Sequence, residues 1–369
     1  EYLSPHYDIT VVGYGDAPSQ WIDKVEWHNI KGSKIEQQID SILRIMIVFL
    51  GRFLPFILQL EYLITKRAKR IKTTISETNA DVYHANDWDT LPLVVPIAKK
   101  WGAKIVFDAH EYSPGQQRSI IRQFFLASRA TYFLKHYAHE ADTMTTVSPL
   151  LAEKYAEVFN LEAQVIMSAP RHQGLLPSPI DPDAIHIIHH GGATPRRHLE
   201  LTIEAMRYLD TPYHLHFYLI AGRFQAYVDE LKSLAQSIAP QRIHFHEPIA
   251  PTEITRTINQ YDIGIFILKP NTFNHMAALP NKLFDFVNAS LAVCISPTPG
   301  MATLARQFDF SLISDTYEPE EIAQKLNALS PERIMEMKKN AYEASKILNA
   351  DVEMGKVVAL YHELLSEQF

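Results

Sequence analysis

The chain has one cysteine, Cys294, in 369 residues. That excludes an internal disulfide framework and a thiolate metal cluster, and it fits a reducing compartment. No HExxH pattern occurs. Most of the 17 histidines fall in strand-like runs such as "HLHF" and "HFHE", where alternate residues face opposite ways, so no metal is expected. Positive charge is not in excess either. Thirty-five Lys and Arg against 42 Asp and Glu give a net charge of −7, which excludes a general affinity for nucleic acid. No signal peptide is visible.

What is there is an alternation. At this length two domains are expected, because a single core stops growing well short of it. Strand-like runs read "DITVVGY", "DVYHAN", "KIVFDAH" and "TMTTVSP" in the first half. In the second half they read "IHIIHHGG", "HFYLIAG", "IHFHEP", "IGIFIL", "LAVCIS" and "FSLIS". Amphipathic helical runs lie between them. Strand and helix in strict alternation predict an α/β protein: two Rossmann-like, doubly wound parallel-sheet domains. The expected boundaries are 1–167, a proline-rich linker at 168–184, a second domain at 185–345 and a terminal helix at 346–369.

One segment departs from this. Residues 39–64 are apolar around most of a helical circumference, with Asp40, Arg44, Arg52 and Gln59 on one narrow stripe, and a basic run follows to Lys72. Two arginines and Pro55 argue against a spanning helix. Two readings stay open. The helices cover a sheet, or they form an interfacial pair over residues 39–72, with Arg44 and Arg52 among the residues that hold it to anionic lipid.

Ligands of open parallel sheets bind beyond the carboxyl ends of the strands. There, after "IHIIHH", stand Gly191 and Gly192, then Thr194 as a candidate N-cap, Pro195 at a first helical position, and Arg196 and Arg197 in a first turn. Cations oppose the dipole at a helix start, and a bound anion reverses the sign. Otherwise the two arginines simply point into water. Arg223 and Lys269 follow other strands. "LPNKLFDF" places Asn281 and Lys282 at a helix start, with Asp285 one turn on. The pair suits a nucleotide diphosphate and a ribose diol, or is a plain i,i+3 ion pair. In the first half, the strand ends offer His84, Asn86, Asp87, Asp89, Asp108, His110 and Glu111. Of these, Asp87, His110 and Glu111 are the catalytic candidates.

Three stretches together resemble the GT-B glycosyltransferases, family four, which retain configuration and use nucleotide sugars. They are "DVYHANDWDTLPLVVPIAKKWGAKIVFDAHEYSPG", "HHGGATPRRHLELTIEAM" and "LPNKLFDFVNASLAVCIS". The resemblance implies two Rossmann-like domains facing a central cleft, with the donor mainly on the C-terminal one. It implies that Asp285 holds the donor ribose, that Asn281 and Lys282 approach the donor, that Arg197 contacts the diphosphate and that His110 lies near the transferred sugar. It further implies that the last helix crosses back to the N-terminal domain. Gly192 stands where the family often has arginine, which leaves Arg196 or Arg223 to supply a phosphate contact. His198 replaces the usual glycine, Ala277 a common glutamate, Asn86 a common histidine, and Ser290 the glycine that ends a small-residue turn. The family's first strand and Gly-rich loop would lie before Glu1.

The function expected is transfer of a sugar from a nucleoside diphosphate sugar to an acceptor hydroxyl, in cell-envelope polysaccharide or glycolipid synthesis. The nucleotide sugar is a co-substrate, and no cofactor or metal is required. The expected location is the cytoplasm, with peripheral contact to the inner face of the cell membrane on the interfacial reading. Two other readings share the architecture: a nucleotide-sugar epimerase, and a non-catalytic nucleotide-sugar binding protein.

Overall fold

A computed structural model describes residues 1–18, 23–116 and 126–366. Contacts divide the chain into two units. One comprises Glu1–Ile166 with Thr272–Asn274 and Met354–Phe369. The other comprises Met167–Asn271 with His275–Glu353.

In the N-terminal unit the parallel strands fall into two sheets. β1 (Thr10–Gly13) pairs with β2 (Glu26–Asn29), and β3 (Val82–Asn86), β4 (Lys104–Ala109), β5 (Thr143–Thr146) and β6 (Gln164–Val165) pair in chain order. The four-stranded sheet holds fully buried Ala85, Val106 and Phe107, the continuous apolar reading of strands covered on both faces. β2 and β6 are too short and too polar to stand out in the sequence. The terminal helix Ala350–Ser366 sets Leu360 and Leu364 against Val106. Its Tyr361 hydroxyl is 2.7 Å from His84 Nδ1.

The segment 34–77 is built inside out. It comprises helices Lys34–Gly51, Leu60–Ile64 and Lys66–Glu77, with a 3₁₀ turn at Pro55–Gln59. Ser33 and Glu36 form a reciprocal capping box at its start. Asp40, which is buried, accepts from the Lys66 and Arg67 N–H groups at 2.9 and 2.8 Å and so caps the third helix. Glu61, only 3% exposed, receives both arms of Arg129 at 2.8 and 2.7 Å and lies 2.9 Å from Arg44 Nε. The Arg129 guanidinium stacks over Trp88 at 4.5 Å. Thus Asp40 and Glu61 turn inward with Ile47 and Leu58, Arg44 and Arg52 are half-buried and Gln59 is exposed, while most of the apolar circumference faces out. The expectation that these helices lay their apolar faces on a sheet is corrected by this arrangement.

The second unit carries one parallel sheet in the order β12-β11-β10-β7-β8-β9. The strands are β7 (Ile185–Gly192), β8 (Tyr213–Ile220), β9 (Ile243–His246), β10 (Ile263–Phe266), β11 (Ala292–Ile295) and β12 (Ser311–Ile313). The chain runs outward from β7 to one edge, then returns to β10 and runs to the other. The switch point therefore lies between β7 and β10, where open sheets bind ligands. Gly264 of β10 is required there. A Cβ at that position would come within 2.3 Å of the Phe286 ring, so only glycine lets helix Asn281–Asn288 lie against the strand.

The proline-rich segment 168–184 is fastened to this unit. Pro170 O accepts from Ala350 N–H at 2.8 Å and Leu175 O from the Ser290 hydroxyl at 2.6 Å. Ser178 receives the fully buried Lys338 ammonium at 2.8 Å, which also binds Asp262 at 3.2 Å. Ser290 sits at φ 56°, a left-handed position that favours glycine, and its bond to Leu175 offsets that strain.

The strand histidines gather on one face. His186 Nδ1 is 2.9 Å from His216 Nε2, His216 Nδ1 is 3.0 Å from His246 Nε2, and His214 pairs with His244 at 3.4 Å. The i,i+2 spacing on a strand puts such residues on a common side, and parallel register aligns them across β7, β8 and β9. Each neutral ring donates from one nitrogen and accepts at the other.

Two predictions follow from these buried groups. Removing the Glu61 carboxylate strands two arginines, one of them buried. Glu61→Ala should lower unfolding free energy by about 3–5 kcal/mol in a urea titration. Burial and neighbouring imidazoles hold His216 down at about 3, against an ordinary 6.5. A histidine depressed in the folded state takes up a proton on unfolding, so stability is present near neutrality and lost as pH falls from 6.5 toward 3. Between pH 7 and 5 this group alone should remove about 2 kcal/mol. His216→Phe should flatten the measured stability over that range, and an unchanged slope would contradict the assignment.

Candidate active site

At the switch point β7 ends in His189, His190, Gly191 and Gly192, and helix Asn281–Asn288 begins beyond β10. Pro280 precedes that helix, and no side chain caps its first N–H groups. Lys282 is 5% exposed. Its ammonium lies 3.1 Å from His189 Nε2 and 4.5 Å over the Phe266 ring. His189 Nδ1 is 2.9 Å from Ile265 O, so its Nε2 presents a lone pair to the lysine.

Gly191, at φ 105°, leaves a space that two cations share. A Cβ built there would sit 3.7 Å from Lys282 Nζ and 3.9 Å from Arg197 Nη1. Arg197 itself donates to Gly192 O at 3.2 Å. Burial, and then the Arg197 charge, push the Lys282 ammonium well below its usual range. Burial likewise lowers Arg197. A buried lysine beside a half-buried arginine is disfavoured, Asp285 offsets this only in part, and an anion placed between the two cations would favour both.

Asp285 lies one turn beyond Lys282 and is 9% exposed. Burial pushes its carboxyl up to about 7, against the lowering influence of Lys282. Its Oδ2 is 3.5 Å from His190 Nε2, and that nitrogen is buried with no hydrogen-bond partner. His190 is held at about 3 by burial and by the two cations. Neutral, with Nε2 unpaired, it leaves a hydrogen-bonding position open beside Asp285.

The structure thus brings together Gly191, Gly192, Arg197, Lys282 and Asp285. Arg196, Arg223 and Asn281 are exposed, and Arg223 lies over Phe224 at 4.9 Å. The helix start expected at Thr194 is not formed. Thr194 makes no side-chain cap, Pro195–Arg197 is a single 3₁₀ turn, and the helix begins at Glu200. That turn ends at His198 with φ 50°, so the position where the resemblance has glycine is left-handed here, held by a 3.1 Å contact with Glu200. His189 and His190 escaped the sequence reading. The only signal was a histidine doublet inside an otherwise apolar strand.

A second cluster stands at the strand ends of the N-terminal unit. Asp108 Oδ1 accepts from the Thr145 hydroxyl at 2.7 Å, and Oδ2 lies 3.4 Å from His110 Nε2 and 3.7 Å from His84 Nε2. Burial would raise the Asp108 carboxyl, yet the bond with His84, the His110 charge and Thr145 together hold it low. Asp87 takes φ 59° and accepts from the His110 backbone N–H at 3.2 Å. Its carboxylate, followed by that of Asp108, raises His110, although burial opposes. Burial, and then Asp87, raise Glu111, which bonds Gln116. Asp89 points away, to Arg67 at 3.2 Å. Asp108 as the common acceptor was not singled out from sequence, because only the register of β3, β4 and β5 brings His84, Asp108 and Thr145 together.

Residues 24–171 match the model of Glycosyltransferase Family 4. No curated protein matches the chain in sequence. A glycosyltransferase from Rickettsia africae superposes with a TM-score of 0.68 at 13% identity, over 97% of this chain and 90% of that one. HepE of Anabaena, in complex with UDP-glucose, gives 0.70 at 12% identity over 97% and 100%. A trehalose-phosphate synthase of Burkholderia xenovorans gives 0.64 at 11% over 98% and 95%. The fold is GT-B. Residues 24–171 thus carry the family-four glycosyltransferase match, on a chain whose fold is shared with glycosyltransferases over its whole length.

The pair at Gly191 has a discriminating test. If Lys282 is kept for an anion, Lys282→Met should raise the thermal stability of the ligand-free protein, by about 1 kcal/mol from relief of a buried charge. It should weaken binding of a nucleoside diphosphate, measured with UDP, GDP and ADP, by about 1.5–3 kcal/mol. A lysine with a purely structural role gives lower stability and unchanged affinity. Asp285→Ala should weaken binding of the same nucleotide by about 1–3 kcal/mol, measured by calorimetry.

Proposed function

We propose that this glycosyltransferase moves a sugar from a nucleoside diphosphate sugar to an acceptor hydroxyl, with retention of anomeric configuration. The observation that carries the reading is the convergence of buried Lys282 and half-buried Arg197 on the space left by Gly191 at the switch point of the C-terminal sheet. The likeness to HepE in complex with UDP-glucose supports a nucleotide-sugar donor.

As the anomeric C–O bond breaks, positive charge grows on the sugar ring and negative charge on the leaving diphosphate. Fixed positive potential at that diphosphate is the largest aid the protein can supply. Lys282 and Arg197 supply it, with Gly191 admitting the phosphate close to the backbone. The exposed Arg196, Arg223 and Asn281 complete the donor set we assign. Asp285, as the carboxylate, accepts from the ribose hydroxyls. The acceptor oxygen attacks on the face the diphosphate leaves, and its proton passes to the departing phosphate oxygen. No enzymic nucleophile or cofactor enters this scheme.

His110 orients the transferred sugar, with Asp87 and Asp108 holding its ring and Glu111 beside it. The acceptor we assign is a saccharide or lipid-linked hydroxyl of cell-envelope synthesis, met at the cytoplasmic face of a membrane. Among the described residues no helix is long and apolar enough to cross one.

The test is incubation of the full chain with labelled UDP-, GDP- and ADP-sugars. Transfer, or slow hydrolysis that releases sugar of unchanged configuration at C1, is expected from one donor. Free epimerised sugar, or saturable binding with no turnover, would falsify the assignment.

A further inference from the structure

We propose that the outward face of residues 34–64 is a docking surface for a phospholipid bilayer with anionic headgroups, lying in the interface rather than across it. This deepens the functional reading and rests on it only for the acceptor, because the surface stands on geometry alone.

A surface helix ordinarily turns its apolar stripe to the core and its charges to water. Here the order is reversed. Asp40 and Glu61 are buried, while Ile42, Ile45, Phe53, Phe56 and Leu63 are 60%, 70%, 68%, 66% and 57% exposed. The inversion is locked from inside. Glu61 holds Arg129 and Arg44, and Asp40 caps the third helix, so the pair cannot roll to hide its apolar side without unpairing buried charge. Soluble proteins rarely expose contiguous apolar faces of such size unless something covers them.

Charge selects the occupant. Between Lys31 and Lys72 stand nine basic and three acidic residues, in a chain whose net charge is −7. Two of the three acids are the buried Asp40 and Glu61, and the third, Glu36, is taken by Arg70 and Lys66. Lys34, Lys69 and Lys72 are exposed. A second copy docked through the same face would set these cationic segments against each other. An anionic bilayer accepts the apolar side chains below its headgroups and the lysines among them.

The experiment is co-sedimentation of the full chain with vesicles of phosphatidylcholine, alone or mixed with phosphatidylglycerol. Binding to the mixed vesicles is expected, about tenfold stronger than to phosphatidylcholine alone and falling as salt is raised. Ile45→Ser with Phe53→Ser should reduce it by at least about tenfold. Its thermal melt and UDP affinity should match the unmodified chain. The proposal is overturned if the unmodified chain does not sediment, or if the double variant sediments equally. It is overturned too if ultracentrifugation shows a dimer that the double substitution dissolves, because the face then belongs to a second copy. Vesicle binding without binding of UDP, GDP or ADP leaves this surface standing and removes the donor assignment. The converse result removes only the surface.

Discussion

Two cations share the space beside Gly191, and the arrangement of the C-terminal unit answers to that constraint. Lys282 reaches it because Gly264 lets helix Asn281–Asn288 lie on β10. It stays there because His189, tied to Ile265, offers a lone pair instead of a proton. Arg197 reaches it from a 3₁₀ turn that ends in a left-handed histidine. Each feature is locally unfavourable: a desolvated lysine, a like charge beside it, a strained residue. Such features persist when the surrounding structure over-determines them, and they cluster at functional sites.

The N-terminal unit shows the same logic with the signs exchanged. Asp108 gathers Thr145, His110 and His84, and strained Asp87 fixes the backbone before His110. The inverted helices at 34–64 are a further case. An ionic clasp inside them keeps a hydrophobic face outside, which is affordable only because Glu61 is matched by two arginines.

Much of this was legible beforehand. All ten strand runs read from the sequence correspond to strands, because a buried parallel strand is a short apolar run bounded by polar residues. The motifs around Gly191 and Asn281 placed Arg197, Lys282 and Asp285 in one neighbourhood. Reading failed where an outcome depended on facing. The stripe Asp40, Arg44, Arg52 and Gln59 was found by periodicity, but periodicity does not say which side meets water. The histidines of "HLHF" and "HFHE" read only as strand residues in the sequence, and parallel register alone lines them into a hydrogen-bonded row.

The sequence by itself determined the elements, their alternation, and the glycines and cations at the strand ends. These follow from local preferences and short motifs, which act over a few residues. Tertiary structure alone decided that Lys282 is buried against a neutral His189, that His190 is left unpaired beside Asp285, and that the apolar helices face outward. Burial and pairing are set by residues tens to hundreds of positions away. The free energy of a charge depends on those neighbours more than on its own place in the chain.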